Sequence, residues 1–386
     1  MLRSEDIPPQ RSAHARPPTD LYVRDVDDSG ASTSRTTLIV VFGGQSAEHD
    51  ISCVTAAHVM RAIDRDRYNL LAIGIDRSGG WHLAEAAMAA LDREPDHPVP
   101  LEATGREVSS VPVLHAAAST GPVVVMPLLH GPLGEDGTIQ GMLDLLDLPY
   151  VGSGVLGSAV SMDKAMTKNL LASFGIPQPR FVALRDHEVT PSRLDEVAAT
   201  LGLPLFVKPA NMGSSVGVAK VSTIEELAPC ARAALSYDEW IVCEEAIVGR
   251  EIEVAVLGNI DPMASVAGEV IPGNDFYDYE DKYVTDGARL VIPADLDERH
   301  SDEVRALAVR IFALLRCEGL ARVDFFYEPD GRGFLCNEIN TMPGFTPISM
   351  YPNLWRASGV SYPELVDRLV NLALERHSRR RRNTAR

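Results

Sequence analysis

The chain has 386 residues and a formal net charge of −18, which argues against non-specific binding to nucleic acid or to an anionic membrane. Apolar residues make up 45% of the sequence and charged residues 23%, as is typical of a globular protein of two or three domains with a sizeable core. The five cysteines are scattered without a Cys-x-x-Cys pair, and no apolar run is long enough to span a bilayer, so we expect a cytoplasmic protein with free thiols.

The first 150 residues predict a polar extension followed by an α/β domain. Residues 1–36 are rich in Pro, Ser, Arg and Asp and lack a hydrophobic period, which predicts disorder. Strands are then predicted at 38–42, 69–75 and 123–128, with a helix at 52–63. This order indicates an open α/β domain with a parallel sheet over residues 37–152.

A glycine motif at residues 152–157 matches the G-x-G-x-x-G fingerprint of dinucleotide-binding proteins. That fingerprint follows the first strand of a βαβ unit and is itself followed by an acidic residue about 20 positions later. Here the motif closes a domain, and Pro177 lies in the later region. We therefore do not assign a Rossmann site.

The rest of the chain predicts two α+β domains, 153–248 and 249–376, and a basic tail at 377–386. The first has predicted helices at 161–173, 191–201 and 223–236, and strands at 204–208, 216–221 and 240–244. The second has predicted strands at 250–257, 263–269, 320–327 and 333–340, and helices at 298–316 and 361–376. The long polar and aromatic loop 272–288 is predicted to be a lid. We interpret the arginine-rich end as solvated rather than as a nucleic-acid arm.

The predicted hairpin 320–340 carries four polar side chains on otherwise apolar strands, Arg322, Asp324, Glu338 and Asn340. Residues two apart on a strand share a face, and a connection with an odd number of residues would bring both pairs to one face. Two carboxylates and an amide oxygen there would suit Mg²⁺, completed by substrate phosphates. A solvated polar face is the alternative, less favoured because four polar groups are costly to bury without a partner.

Three other segments are candidates for ligand binding. The Gly/Ser loop 211–217 offers backbone N–H groups that would wrap phosphates, and Lys208 before it adds positive charge, although an ordinary hairpin turn explains the loop equally well. Glu48 follows the first strand, and His130 and Glu135 follow strand 123–128. Open α/β sheets bind ligands at the carboxyl ends of their strands, but a helix-capping acid and a satisfied loop histidine are the alternatives here.

Together these segments resemble the D-alanine–D-alanine ligase family of the ATP-grasp superfamily. The matching segments occur in family order at 43–52, 130–137, 161–164, 207–217, 277–283, 321–324 and 337–350. The resemblance covers residues 37–375 and leaves out the N-terminal extension and the arginine tail. Asp50 stands where glutamate is common in the family.

The resemblance implies an α/β (α+β) ATP-grasp protein, with an N-terminal open α/β domain and two α+β domains whose antiparallel sheets clasp ATP. The implied activity is ATP-dependent ligation of two D-alanines through D-alanyl phosphate, releasing ADP and phosphate, for peptidoglycan precursor synthesis. Two Mg²⁺ or Mn²⁺ ions would be held by Asp324, Glu338 and Asn340. The resemblance also implies a homodimer.

Roles for individual residues are implied in the same way. Those implied for ATP are Lys164, Lys208, Ser215 and Lys282 at the phosphates, Glu244 and Ile247 at the adenine, and Glu251 at the ribose. Those implied for D-alanine are Glu48 at the first ammonium group, Ser214 beside Tyr283 of the lid, and Ser349 with Met350 at the second carboxylate. Arg322 and the Gly344 N–H would stabilise the tetrahedral oxyanion.

Two alternatives stay open on the sequence. One is another amine-forming or depsipeptide-forming ligase of this fold, such as one that uses D-lactate second. The family's Lys-Tyr pair, present as Lys282 and Tyr283, argues against it. The other is a nucleotide-binding regulatory module without turnover. That alternative predicts lost metal ligands, whereas Asp324, Glu338 and Asn340 are all present.

Overall fold

Three β-sheets organise the chain in the computed structural model, which describes residues 35–93, 100–273 and 289–380. The strands are β1 Thr37–Gly43, β2 Asn69–Ile75, β3 Trp81–Leu83, β4 Arg106–Val108, β5 Val123–Pro127, β6 Phe181–Arg185, β7 Leu205–Pro209, β8 Ala219–Val221, β9 Trp240–Glu245, β10 Arg250–Gly258, β11 Met263–Ile271, β12 Arg289–Val291, β13 Gly319–Glu328 and β14 Gly333–Asn340. The helices are α1 His49–Ala62, α2 Glu85–Arg93, α3 Ser110–Ser119, α4 Thr138–Leu145, α5 Val155–Met162, α6 Lys164–Ser173, α7 Pro191–Leu201, α8 Ile224–Ala234, α9 Glu298–Leu314, α10 Met350–Ala357 and α11 Tyr362–Arg380. Within those described ranges, no helix combines the length and the apolar character needed to cross a membrane.

The N-terminal sheet has the strand order β4-β3-β2-β1-β5. Strand β1 pairs in parallel with both β2 and β5, and its residues 38–42 are fully buried. Burial on both faces explains why this strand is a continuous apolar run. The parallel core of the predicted α/β domain is confirmed. The antiparallel edge strands β3 and β4 were not predicted, because three residues leave too short a period to detect.

Two antiparallel sheets follow, with the orders β6-β9-β7-β8 and β12-β11-β10-β13-β14. Helices α7 and α8 pack on the four-stranded sheet through an apolar cluster that includes Leu194, Val197, Leu227 and Ala231. Helix α9 covers one face of the five-stranded sheet through Val304, Ala308, Ile311 and Phe312. These apolar residues recur three or four positions apart, so they form one face of each helix, and that face is buried against the sheet.

The other face of the five-stranded sheet joins the largest apolar cluster of the chain's described part. Leu354 of α10 belongs to this cluster, together with Ala255 and Leu257 of β10. Side chains alternate along a strand, so these two residues point away from the face that α9 covers. The five-stranded sheet is therefore covered by helices on both faces.

The structure corrects two of the predicted elements. The single helix expected at 161–173 is two helices, because Asp163 is extended and its side chain accepts a hydrogen bond from Met166 N as the N-cap of α6. The strand expected at 216–221 begins only at Ala219, since the preceding loop includes left-handed residues that cannot extend a strand. Strand β6 and helix α10 are among the elements that were not predicted.

The last helix is longer than expected: α11 ends at Arg380, whereas the prediction ended it at residue 376. Arg379 Nη2 lies 2.7 Å from Glu318 Oε1, and Arg380 Nη1 lies 2.5 Å from Asp144 Oδ1. These arginines therefore join the last helix to two other parts of the chain. Arg380 is exposed and Arg379 is half-buried, so the interpretation of the arginine-rich end as solvated stays a prediction, with residues 381–386 outside the described residues.

Arg376 is the buried member of this group and is only 3% exposed. Its guanidinium donates to Gly152 O at 2.7 Å and to Tyr150 O at 3.0 Å, and it lies 3.9 Å from the centroid of the Tyr150 ring. Replacing it by methionine would leave two carbonyls unsatisfied and remove a cation–π contact. We expect Arg376→Met to lower the free energy of unfolding by about 2–4 kcal/mol in urea titration.

The matched control is Arg368→Met on the same helix. The Arg368 side chain is 39% exposed and pairs across one turn with Glu364. Such surface pairs are worth less than about 1 kcal/mol. Equal losses in the two variants would contradict a special role for Arg376.

Candidate active site

The hairpin of β13 and β14 brings its four polar side chains to one face. Arg322 lies opposite Asn340, and Asp324 lies opposite Glu338. Asn340 Nδ2 donates to Asp324 Oδ2 at 2.9 Å, so the two strands present these groups together. The predicted convergence is confirmed, but not for the reason given, because the connection 329–332 has an even number of residues. A register shift between Asp324 and Phe325 brings Asp324 opposite Glu338 and Arg322 opposite Asn340.

Arg322 is held between two carboxylates. Its Nε and Nη2 each donate to an oxygen of Asp324 at 2.7 Å, and its Nε lies 3.0 Å from Glu253 Oε2 on the neighbouring strand β10. Burial alone would lower the pKa of Arg322, but Asp324 and Glu253 outweigh it and raise that pKa. Glu253 was not predicted as a site residue, although its position two residues after Glu251 on a strand was the available signal.

The donor set on this face suits a hard divalent cation. Asp324 and Glu338 supply carboxylates and Asn340 supplies an amide oxygen, the ligand types that Mg²⁺ and Mn²⁺ prefer. In the described parts of the chain, no three His, Cys, Asp or Glu side chains are grouped so that they could hold a metal alone. Any ion here would complete its coordination with water or phosphate oxygens, which is how Mg²⁺ commonly binds.

Three lysines lie between the hairpin and the four-stranded sheet. Lys164 Nζ donates to Met212 O at 2.6 Å and lies 3.9 Å from Glu338 Oε2. Lys208 Nζ donates to Glu244 Oε2 at 3.1 Å and to Asn337 Oδ1 at 3.4 Å. Lys168 Nζ also pairs with Glu244 Oε2, at 3.4 Å. Positive charge therefore gathers where the two antiparallel sheets meet, close to the carboxylates of the hairpin.

The Gly/Ser loop reaches from the four-stranded sheet to the N-terminal domain. Ser214 and Ser215 both adopt left-handed backbone conformations, with φ of 47° and 59°. Ser214 Oγ donates to Glu48 Oε1, and a Cβ at Gly213 would lie 2.6 Å from Glu48 Oε2. A larger residue at 213 would therefore displace the Glu48 carboxylate. The loop connects the predicted phosphate-binding segment to the residue predicted to bind the substrate ammonium group.

His130 and Glu135 lie beside Glu48, the first buried and the second half-buried. His130 Nδ1 is bonded to Met342 O at 3.0 Å, and Glu135 Oε2 accepts from Gly131 N at 2.7 Å. The pKa of His130 is lowered, because the effect of burial exceeds the opposing effect of the nearby Glu48 charge. Burial and the charge of Glu48 raise the pKa of Glu135 to about 8. The contact of His130 joins the N-terminal domain to the loop that follows β14.

The raised pKa of Glu135 predicts a pH dependence of stability. Between its ordinary value of 4.5 and its folded value of about 8, the folded state binds more protons than the unfolded state. Glu135 therefore contributes a free energy of unfolding that falls as pH rises through this window, by at most about 1.4 kcal/mol per pH unit. Glu135→Gln removes this contribution, so its stability relative to the native chain is expected to rise from pH 5 to pH 8 in urea titrations.

The control for this series is Glu225→Gln, which removes an exposed carboxylate from the first turn of α8. This variant measures how much of the stability difference comes from exchanging any carboxylate for an amide over the same window. A flat difference for Glu135→Gln would show that Glu135 titrates normally.

The loop after β14 leads into helix α10, whose N-cap is Ser349. Ser349 Oγ accepts from Thr346 N at 3.0 Å and lies 2.8 Å from Thr346 Oγ1. A Cβ at Gly344 would approach Ser349 Oγ to 2.8 Å, so a larger residue there would displace the hydroxyl group. Gly344 and Ser349 are thus neighbours, and their implied roles at the oxyanion and at the second carboxylate stay predictions.

The remaining predicted site residues are placed as follows. Glu251 lies on β10, half-buried, two residues from Glu253 and on the same face, and Ile247 is half-buried in the connection before that strand. Met350 is buried at the first position of α10. Lys282 and Tyr283, predicted in the lid, lie outside the described residues.

This chain has the ATP-grasp fold. An open α/β domain comes first, and two antiparallel sheets follow, with lysines and carboxylates where they meet. Residues 37–153 match the family model described as the D-ala D-ala ligase N-terminus, and residues 170–371 match the D-ala D-ala ligase C-terminus. The chain belongs to the D-alanine–D-alanine ligase family.

Curated relatives and solved structures agree with this membership. D-alanine–D-alanine ligase A of Escherichia coli (strain K12) is 45% identical over 349 residues, covering 88% of this chain and 96% of that protein. A D-alanine-D-alanine ligase structure from Coxiella burnetii superposes with a TM-score of 0.75 at 36% identity, covering 90% of this chain and 96% of that one. The VanG D-Ala:D-Ser ligase from Enterococcus faecalis gives a TM-score of 0.74 at 32% identity, covering 88% and 100%.

Proposed function

We propose that this chain joins two D-alanines to D-alanyl-D-alanine, using ATP and releasing ADP and phosphate, for peptidoglycan precursor synthesis in the cytoplasm. The observation that carries the proposal is the single face formed by Arg322, Asp324, Glu338 and Asn340. It lies within ion-pair distance of Lys164, which is bonded in turn to the Gly/Ser loop. Groups for metal, phosphate and oxyanion are thus supplied by adjoining elements.

The first chemical step is attack of a D-alanine carboxylate on the γ-phosphorus of ATP, which forms D-alanyl phosphate and ADP. Two anions must approach each other, so their charge has to be neutralised. We assign Lys164, Lys208 and the N–H groups around Ser215 to the phosphates. Two Mg²⁺ or Mn²⁺ ions on Asp324, Glu338 and Asn340 would supply further positive charge at the phosphoryl oxygens.

The two amino acids are assigned to opposite sides of this centre. Glu48, oriented by Ser214, would bind the ammonium group of the first D-alanine. Ser349 at the N-terminus of α10 would bind the carboxylate of the second, since the free N–H groups of a helix N-terminus favour an anion. The amine of the second D-alanine is thereby held for attack on the acyl phosphate.

The second step forms the amide bond. Attack of the second amine on the acyl carbon gives a tetrahedral oxyanion, and expulsion of phosphate completes the ligation. We assign Arg322 and the Gly344 N–H to that oxyanion, because donors aimed at developing charge are the strongest aid to acyl transfer. Glu253 and Asp324 would fix the direction of the guanidinium.

The nucleotide base and the lid complete the assignment. Glu244 and Ile247 would frame the adenine and Glu251 the ribose. Lys282 and Tyr283 would close over the γ-phosphate and Ser214, excluding the water that would hydrolyse an acyl phosphate. We propose that the active form is a homodimer.

The test is a screen of ADP release across D- and L-amino acids with ATP and Mg²⁺, with products identified by mass spectrometry. We expect ADP release with D-alanine alone and one D-alanyl-D-alanine formed per ADP. Faster turnover when D-serine or D-lactate is added as second substrate would point to a mixed dipeptide or depsipeptide ligase. ADP release that no amino acid stimulates would contradict the proposal.

A further inference from the structure

Lys168 lies on α6 one helical turn after Lys164 and is only 2% exposed. Its Nζ lies 3.4 Å from Glu244 Oε2 and 5.8 Å from the centroid of the Phe181 ring. Among the described residues, Nζ has no hydrogen-bond partner. A buried ammonium group is costly unless it is paired, and burial lowers the pKa of Lys168. We therefore expect the role of Lys168 to lie in its ion pair with Glu244.

Lys168 and Lys208 both approach the same oxygen of Glu244. Lys208 donates to Oε2 at 3.1 Å, and Lys168 lies 3.4 Å from that same atom. The other oxygen, Oε1, is buried and accepts no hydrogen bond from any residue that the structure describes. Burial alone would raise the pKa of Glu244, but the charges of Lys168 and Lys208 outweigh it and lower that pKa. Glu244 is thus an ionised carboxylate with one occupied oxygen and one open acceptor.

We propose that Lys168 is a positioning residue for nucleotide selectivity, holding Glu244 so that its open oxygen accepts from the 6-amino group of adenine and repels a 6-oxo purine. This inference rests on the proposed function, which assigns Glu244 to the base of ATP. An amino group donates where an oxo group accepts, and a carboxylate can only accept. Sites built around such a hydrogen bond discriminate strongly against the analogue that lacks it.

Lys208 does not replace Lys168 in this role. Lys208 is more exposed, at 13%, and shares its Nζ with Asn337. Without Lys168, Glu244 would keep one shared cation in a buried site, and the tendency of its carboxylate to take up a proton would rise. A protonated carboxyl group can donate to an oxo group, so selectivity would fall.

The experiment compares purine preference in the native chain and in Lys168→Met, which removes the charge at similar volume. Binding of ADP and of inosine diphosphate is measured by calorimetry with Mg²⁺ and without D-alanine. KM and kcat are then measured for ATP and inosine triphosphate with D-alanine. We expect the preference for the adenine nucleotide to fall by about tenfold or more, through KM more than through kcat. An unchanged preference would overturn the inference.

Two further variants separate positioning from a purely structural effect. Lys220→Met makes the same change at an exposed lysine on β8 and should leave the preference unchanged. Glu244→Gln should lower the preference by itself, and adding Lys168→Met to it should lower it no further, because both changes act on one group. Additive losses in the double variant would overturn the inference, even if Lys168→Met alone proved unstable.

Binding without D-alanine also separates this inference from the proposed function. Suppose that Lys168→Met changes the purine preference but the native chain does not ligate D-alanine. That result would support the inference and contradict the proposed function. Ligation of D-alanine with a purine preference that ignores Lys168 would support the function and overturn the inference.

Discussion

Arg322→Ala is expected to lower kcat for ADP release with D-alanine by about a hundredfold or more. Removing one oxyanion donor typically raises the barrier by about 3 kcal/mol. Arg322 is also the counter-charge of Asp324 and Glu253, whose exposed fractions are 7% and 6%. The alanine variant therefore also leaves uncompensated buried charge, which lowers the free energy of unfolding.

Arg322→Lys is the variant that separates catalysis from folding. Lysine keeps a positive charge between Asp324 and Glu253 but cannot repeat the two-pronged contact that the guanidinium makes with Asp324. We expect it to fold with a free energy of unfolding closer to that of the native chain and still to lose most of kcat. Near-normal turnover in both Arg322→Lys and Arg322→Ala would contradict the assignment of Arg322 to the oxyanion.

Glu338→Gln is expected to lower kcat on the order of a thousandfold, about 4 kcal/mol of barrier, and to raise the Mg²⁺ concentration needed for half-maximal rate. Glutamine keeps the shape of the side chain but replaces a carboxylate ligand with a neutral amide, which holds divalent cations less well. The measurement is ADP release with D-alanine across a titration of Mg²⁺.

The control for that titration is Glu328→Gln at the other end of the same hairpin. Glu328 Oε2 pairs with Arg332 Nε, 2.9 Å away, where β13 turns toward β14. Loss of this carboxylate should leave kcat and the Mg²⁺ dependence unchanged. Native Mg²⁺ dependence in Glu338→Gln would show that Glu338 binds no ion in the active enzyme.

The hairpin illustrates how far local sequence patterns predict this site. Alternation along a strand is enough to place Arg322 with Asp324 on one face, and Glu338 with Asn340 on one face. Strand register then decides whether the two pairs meet, and here Asp324 lies opposite Glu338. Register depends on the turn and on the packing of the whole sheet, so periodicity within each strand could not determine it.

The partners that were not predicted are contributed by distant elements. Glu253 reaches Arg322 from another strand, and Lys168 reaches Glu244 from a helix earlier in the chain. No local pattern specifies such contacts, because they depend on how sheets and helices pack. The break at Asp163 is different, since an aspartate three residues before a backbone donor is a local capping signal that the helical pattern around it concealed.

The assigned reaction depends above all on the convergence of Asp324, Glu338 and Asn340 on divalent metal beside Arg322. A crystal structure of the full chain with Mn²⁺ and a non-hydrolysable ATP analogue would test it, because anomalous scattering locates the ions. We expect manganese peaks within about 2.3 Å of oxygens of these three side chains, bridged to the nucleotide phosphates. Manganese on the phosphates alone, with the three side chains turned away from it, would contradict the assignment.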